Sequence, residues 1–226
     1  MTTTQGYNSE WYNNIYNFYH KYTSELIKIR NEMKTIYNNN NMQPQYDDIE
    51  GEITSLLLLE YKPKNIKEFS PCGGWSTNYL IRASPDTSKI ESFDINNICI
   101  QNVNANNWKF TNEDVCLHFN RIVEEKPDYL FIDSDHSKEF TEKYINNLLI
   151  HLLGTNCIVS VHDVYHSENP SEEGELVIEF LNKNNISYFS PANKNHYNDL
   201  IELKNKLNIG DKIHYYSTNP SIYFIL

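Results

Sequence analysis

"NIKEFSPCGGWSTNYLIRA", Asn65 to Ala83, is the stretch on which the reading of this chain turns. Asn65–Phe69 has the character of a short strand. Ser-Pro-Cys-Gly-Gly breaks it, and Ser76–Ala83 reads as a helix with Ser76 and Thr77 at its N-cap. A strand, a glycine-bearing turn and a helix start can present backbone amides to an anionic or polar ligand group. The same order can also be a plain connection. Gly73 and Gly74 are expected to allow close backbone approach and positive φ. The chain has only 7 glycines in 226 residues, so an adjacent pair carries weight.

Outward from this stretch the pattern alternates. Strand-like segments recur at 89–95, 108–114, 127–133, 157–164, 186–190 and 221–226. Helix-like segments fall at 96–105, 115–125, 138–153 and 172–184. This rhythm predicts an α/β fold: a doubly wound, mostly parallel, seven-stranded sheet with helices on both faces. In such sheets ligands sit beyond the carboxyl ends of the strands.

Ahead of this lies an amphipathic stretch, Ser9–Tyr37. Trp11, Ile15, Phe18, Tyr22, Leu26, Ile29, Met33 and Ile36 form one apolar stripe. It is expected to pack as a helical cap, with a lid or a homodimer contact as the alternatives. The polar run Asn38–Gln45 is expected to end that helix and act as a linker, and a second helix starts near Asp47. Residues 1–46 therefore read as a helical extension and 47–226 as the main domain.

The chain carries 30 acidic and 19 basic residues, a formal net charge of −11. That argues against non-specific binding to nucleic acid or to an anionic membrane. Mean hydropathy is −0.62, and no apolar run approaches the roughly 20 residues that span a bilayer. No secretory signal is visible, so a cytoplasmic location is expected. Cys72, Cys99, Cys116 and Cys157 form no CxxC cluster and read as reduced thiols rather than a structural zinc site.

The strand ends carry the chemistry. Asp94 closes the second strand, about 20 residues past the glycine pair, a spacing that suits the two hydroxyls of a ribose. The alternative to this favoured role is a cap on the following helix at Asn96 and Asn97. Asp114 follows the third strand, where it could meet the exocyclic amine of an adenine or serve as an N-cap. The fourth strand delivers Asp133, Asp135 and His136, and the fifth delivers His162 and Asp163. Carboxylate and imidazole together can bind a divalent cation or act as an acid/base pair. A solvated polar rim is the bland alternative.

"IKEFSPCGGWSTNYL", "IESFDIN", "PDYLFIDSDHSKEF" and "CIVSVHDVY" resemble, in order and content, the motifs of class I S-adenosylmethionine-dependent methyltransferases. The likeness is nearest to small-molecule and sugar O-methyltransferases. It implies a Rossmann-like fold, S-adenosylmethionine as cofactor and a small-molecule or glycan hydroxyl as acceptor. It implies Glu68, Ser70, Gly73, Gly74 and Ser76 at the methionine part, Asp94 on the ribose, Asp114 near the adenine, and Asp133 beside the cofactor. In the metal-dependent branch, Asp133, His162 and Asp163 would hold Mg²⁺ or, with a histidine in the set, Mn²⁺. His136 or His162 would be the general base, acting with Asp133. The chain departs from the family at Ser70 and Cys72, which replace loop glycines, and at His162, where the metal-dependent branch prefers an acid. Two alternatives stand beside this one: a catalytically degenerate binding or assembly protein, which the altered loop favours, and an NAD-dependent oxidoreductase, against which the two histidine-bearing strand ends speak.

Overall fold

The computed structural model describes residues 9–40, 42, 44, 46–214 and 219–226. The N-terminal stripe forms two helices, not one: α1 (Ser9–Lys21) and α2 (Thr23–Asn40). Thr23 Oγ1 donates back to the Tyr19 carbonyl at 2.7 Å, a bond that bends helices. Backbone bonds from Tyr22 to Phe18 and from Leu26 to Tyr22 still cross the joint. α2 continues into the polar run expected to end it. Of the proposed linker, Asn41, Gln43 and Gln45 lie outside the described residues.

The rest of the chain runs α3 (Asp48–Tyr61), β1 (Asn65–Phe69), α4 (Trp75–Ala83), β2 (Lys89–Phe93), β3 (Trp108–Thr111), α5 (Phe119–Glu125), β4 (Tyr129–Ile132), α6 (Lys138–Asn147), β5 (Ile158–Val161), β6 (Tyr165–His166), β7 (Asn169–Pro170), α7 (Glu172–Lys183), β8 (Tyr188–Phe189), α8 (Lys194–Lys206) and β9 (Ile222–Ile225). Seven strands form one sheet in the order β3-β2-β1-β4-β5-β9-β8. β1 to β5 pair in parallel, and β9 runs antiparallel to β5 and β8. The order reverses between β1 and β4, which makes their carboxyl ends the expected ligand crevice.

Several segments differ from expectation. Residues 96–105 hold a single 3₁₀ turn, Ile98–Gln101, in place of a helix. Asp94 accepts from Asn96 N at 2.9 Å, and such Asx bonds compete with helix formation. The 115–125 helix opens with a 3₁₀ turn, Val115–His118, and the 138–153 helix ends in another, Leu149–Leu152. α8 has no counterpart among the expected elements.

Side chains alternate across the strands and feed two cores. Ile66, Tyr129, Phe131 and Tyr223 join α1, α2, α3, α4 and α8 on one face. Leu130, Ile132, Val159, Val161 and Phe224 join α5, α6 and α7 on the other. No described helix is long and apolar enough to cross a membrane. All four cysteines are free.

Inside the first core lies an ionic network. Arg30, Asp48, Glu52 and Lys204 are each at most 2% exposed. Arg30 pairs with Asp48 at 2.8 Å and with Glu52 at 3.2 Å. Lys204 bonds Glu52, whose second oxygen accepts from Tyr19 OH at 2.9 Å. Asp48 also accepts from Ile213 N at 2.9 Å and His214 N at 3.1 Å. Two cations and two carboxylates thus balance in the interior, as buried charges must.

Candidate functional site

The opening stretch resolves into a loop, Ser70–Gly74, at the carboxyl end of β1. Gly74 sits at the N-cap of α4 with φ of 87° and no side-chain cap. Ser76 and Thr77, expected as caps, instead lie inside α4 and donate to Glu68 at 2.7 Å each. Ser92 Oγ donates to the same carboxylate. Glu68 is fully buried, and burial pushes its carboxyl up to about 7, against the pull of these three hydroxyls. It ties β1, β2 and α4 together from behind the loop. The Gly73 carbonyl accepts from Asn102 Nδ2 at 2.9 Å. Of the two glycines expected to take positive φ, only Gly74 does so.

Ser70 and Cys72, the departures from the glycine pattern, both adopt the left-handed region, with φ of 57° and 46°. The backbone therefore follows a path that glycine would favour, at a cost of roughly 1–2 kcal/mol per substituted residue. Ser70 offsets part of this by donating to Ser134 Oγ at 2.9 Å. A Cys72→Gly variant should gain about 0.5–1 kcal/mol in urea unfolding, the relief being partly cancelled by a freer unfolded chain. An unchanged or lower midpoint would count against strain at this residue.

A cavity of about 480 Å³ opens beside the loop, lined by Ser70, Cys72, Asp94, Ile95, Asn96, Asp114, Val115, Cys116, Ser134 and Asp135 among others. This lies within the range of about 300–1,000 Å³ usual for small-molecule sites. Asp94 is 8% exposed. It accepts from Cys72 N at 3.2 Å and Asn96 N at 2.9 Å, which leaves carboxylate lone pairs for further donors. Asp114 both faces the cavity and caps the next turn through Cys116 N at 2.9 Å. Ser70, Asp94 and Asp114 thus share one cavity, whereas Glu68, Gly73, Gly74 and Ser76 do not line it. The volume, the cradling loop and a carboxylate with spare acceptor sites fit an adenosyl cofactor.

The fourth and fifth strand ends meet beside it. His162 Nδ1 lies 3.2 Å from Asp133 Oδ1 and 3.3 Å from Asp163 Oδ1, and its Nε2 is 3.9 Å from Glu50 Oε2. Burial alone would lower its pKa. The charges of Asp133 and Glu50 outweigh burial and raise it to about 10. Burial also pushes Glu50 up to about 7. His136 is more open. Its Nε2 lies 3.5 Å from Asp163 and 3.7 Å from Asp133, and its Nδ1 is 2.7 Å from Glu173 Oε2. Burial lowers the His136 pKa, but the Glu173 bond and the nearby carboxylates raise it overall.

The donor atoms of Asp133, His136 and Asp163 all lie within 4.8 Å of one another. Such spacing fits ligands sharing one cation through bonds of about 2.0–2.3 Å. The cluster differs from the expected set: His136 takes the third place, and His162 instead binds the two acids. Glu50 and Glu173, which complete the surroundings, carry no signal in the sequence. Both sit in acidic helix starts, "DDIEGE" and "SEEGE", which look like ordinary first-turn acids.

No protein-family model and no curated protein matches the sequence. Solved structures do. The O-methyltransferase from Bacillus cereus in complex with SAH aligns with a TM-score of 0.59 and 16% identity, covering 90% of this chain and 90% of that one. Cofactor-bound Rv0187 from MTB aligns with a TM-score of 0.60 and 11% identity, covering 88% and 89%. The O-methyltransferase TomG from Streptomyces achromogenes, in complex with SAM, aligns with a TM-score of 0.54 and 12% identity, covering 100% and 93%. The chain has the Rossmann-like fold of these class I O-methyltransferases.

Proposed function

We propose that this protein is an S-adenosylmethionine-dependent methyltransferase that methylates a hydroxyl of a small molecule or sugar, with His136 as the general base. The observation that carries this reading is the cavity at the carboxyl ends of β1 to β4. Its wall holds Ser70 and Cys72 of the loop, Asp94 and Asp114, and His136 stands at the neighbouring strand ends. S-adenosylmethionine supplies a methyl group already activated on a sulfonium. The loop would cradle its methionine part, Asp94 would accept from the ribose hydroxyls, and Asp114 would lie near the adenine. The remaining demands fall on the chain: align the acceptor oxygen and take up its proton. His136 suits the second task better than His162. His162 is buried with Nδ1 against Asp133 and Asp163, whereas His136 presents Nε2 from a half-open position.

Calorimetry with S-adenosylmethionine, S-adenosylhomocysteine and NAD tests the proposal. The two sulfur cofactors should bind and NAD should not; the absence of sulfur-cofactor binding overturns it. Asp94→Ala should weaken S-adenosylhomocysteine by about 10- to 100-fold, the worth of hydrogen bonds to a charged acceptor. Unchanged affinity would refute the ribose role.

The cluster of Asp133, His136 and Asp163 supports a second reading, in which the same residues hold a divalent cation. Two carboxylates and an imidazole favour Mn²⁺ over Mg²⁺. A cation there would supply a Lewis acid for the acceptor hydroxyl. His136 Nε2 cannot at once ligate it and take the acceptor's proton, so methyl transfer that survives a chelator keeps Nε2 as the base.

A further inference from the structure

His136 is gripped from a helix that the strand-end motifs do not include. Glu173 stands in the first turn of α7 and is 1% exposed. Its Oε2 lies 2.7 Å from His136 Nδ1, and its Oε1 accepts from Tyr144 OH at 2.8 Å. A buried carboxylate is costly unless hydrogen-bonded. Here each oxygen has a partner, and the helix N-terminus adds a favourable field. The turn itself is pinned. Ser171 Oγ caps it through Gly174 N at 3.1 Å, and Gly174 lies hard against the Val164 carbonyl.

Carboxylate oxygens accept, so Nδ1 of His136 must carry the hydrogen in this bond. The neutral ring then has its lone pair on Nε2. That nitrogen faces Asp163 at 3.5 Å and Asp133 at 3.7 Å.

We infer that Glu173, locked by Tyr144, is a positioning residue that fixes His136 as the Nδ1–H tautomer and aims the Nε2 lone pair at the strand-end site. Proton uptake and cation binding both need that lone pair, so the role is common to both readings of the site. Only its effect on methyl transfer rests on the proposed function; the tautomer does not. A carboxylate that served packing alone would leave the tautomer unconstrained.

Long-range ¹⁵N–¹H NMR on ¹⁵N-histidine-labelled protein tests this, recorded on the alkaline side of the His136 titration and assigned with His136→Gln. The wild-type ring should show the Nδ1–H pattern alone. Glu173→Met keeps the volume and removes the acceptor. It should populate the Nε2–H form, lower kcat/KM about 10- to 100-fold and leave S-adenosylhomocysteine affinity within about twofold. Tyr144→Phe, a smaller deletion, should also raise the Nε2–H fraction. A wild-type Nε2–H tautomer, or an unchanged Nδ1–H pattern in both variants, overturns the inference. If S-adenosylhomocysteine fails to bind at all, the proposed function falls, and the NMR comparison still decides the role of Glu173.

Discussion

Replacing Glu52 with glutamine should destabilise the protein by about 3–5 kcal/mol, seen as a fall of roughly 1–2 M in the urea midpoint. Glutamine keeps the size and shape of the side chain and removes its charge. Arg30 and Lys204 would then share Asp48 alone, in a region where all four groups are at most 2% exposed. An uncompensated cation in that setting costs far more than one in water. Tyr19 OH would keep an oxygen at best, since the second position becomes an amide that donates. The surface pair Lys21–Glu60, 56% and 26% exposed at its side chains, is the internal control. Glu60→Gln should cost no more than about 1 kcal/mol. Equal losses in the two variants would show that the buried network contributes nothing special.

Gly174→Ala should be nearly as damaging. A Cβ at this residue would stand 1.9 Å from the Val164 carbonyl oxygen and 3.0 Å from its carbon. Both are backbone atoms, so no side chain can swing aside. α7 would have to retreat by roughly 1 Å or more to restore ordinary C···O contact. Overpacking of this kind costs about 3 kcal/mol. The retreat would also draw Glu173 away from His136, so the variant should lose the Nδ1–H tautomer as well as stability. Gly154 separates the two causes of glycine dependence: its φ is +76°, and a methyl group there would meet no atom within 4 Å. Alanine at that residue meets backbone strain alone and should cost about 1 kcal/mol. Similar losses at Gly154 and Gly174 would dismiss the packing argument.

The sheet was legible because its strands announce themselves. "YLFI" and "IVSV" are apolar runs ending at acids and histidines, and both lie fully buried between helix layers. The positions of Asp94, Asp114, Asp133, His136, His162 and Asp163 were legible for the same reason: in this topology strand ends converge. Glu68 departs from expectation through a detail of strand geometry. It lies one residue before the end of β1, and its side chain turns toward Ser76, Thr77 and Ser92. α8 is hidden in the sequence because its buried apolar face is small, Leu200 and Leu203, and "KNHYNDLIELKNK" looks like a polar loop. Glu50 and Glu173 could not be read, since their partners lie on distant elements and no periodicity encodes such contacts. The loop departures were visible as residue types, but the positive φ of Ser70 and Cys72 was not.

The buried ionic network also dictates an order of assembly. Glu52 meets Lys204 across 152 positions of sequence, and Arg30 meets the Asp211 carbonyl across 181. α2 and α3 are made ahead of α8; Arg30 can pair with Asp48 and Glu52 at once, but the negative charge left over is balanced only when Lys204 of α8 has been made. At about 5–20 residues per second, that interval lasts on the order of ten to thirty seconds. Throughout it, the Arg30–Asp48–Glu52 cluster carries one uncompensated negative charge, which water must solvate. Full burial of Glu52 therefore waits on a residue made 152 positions later.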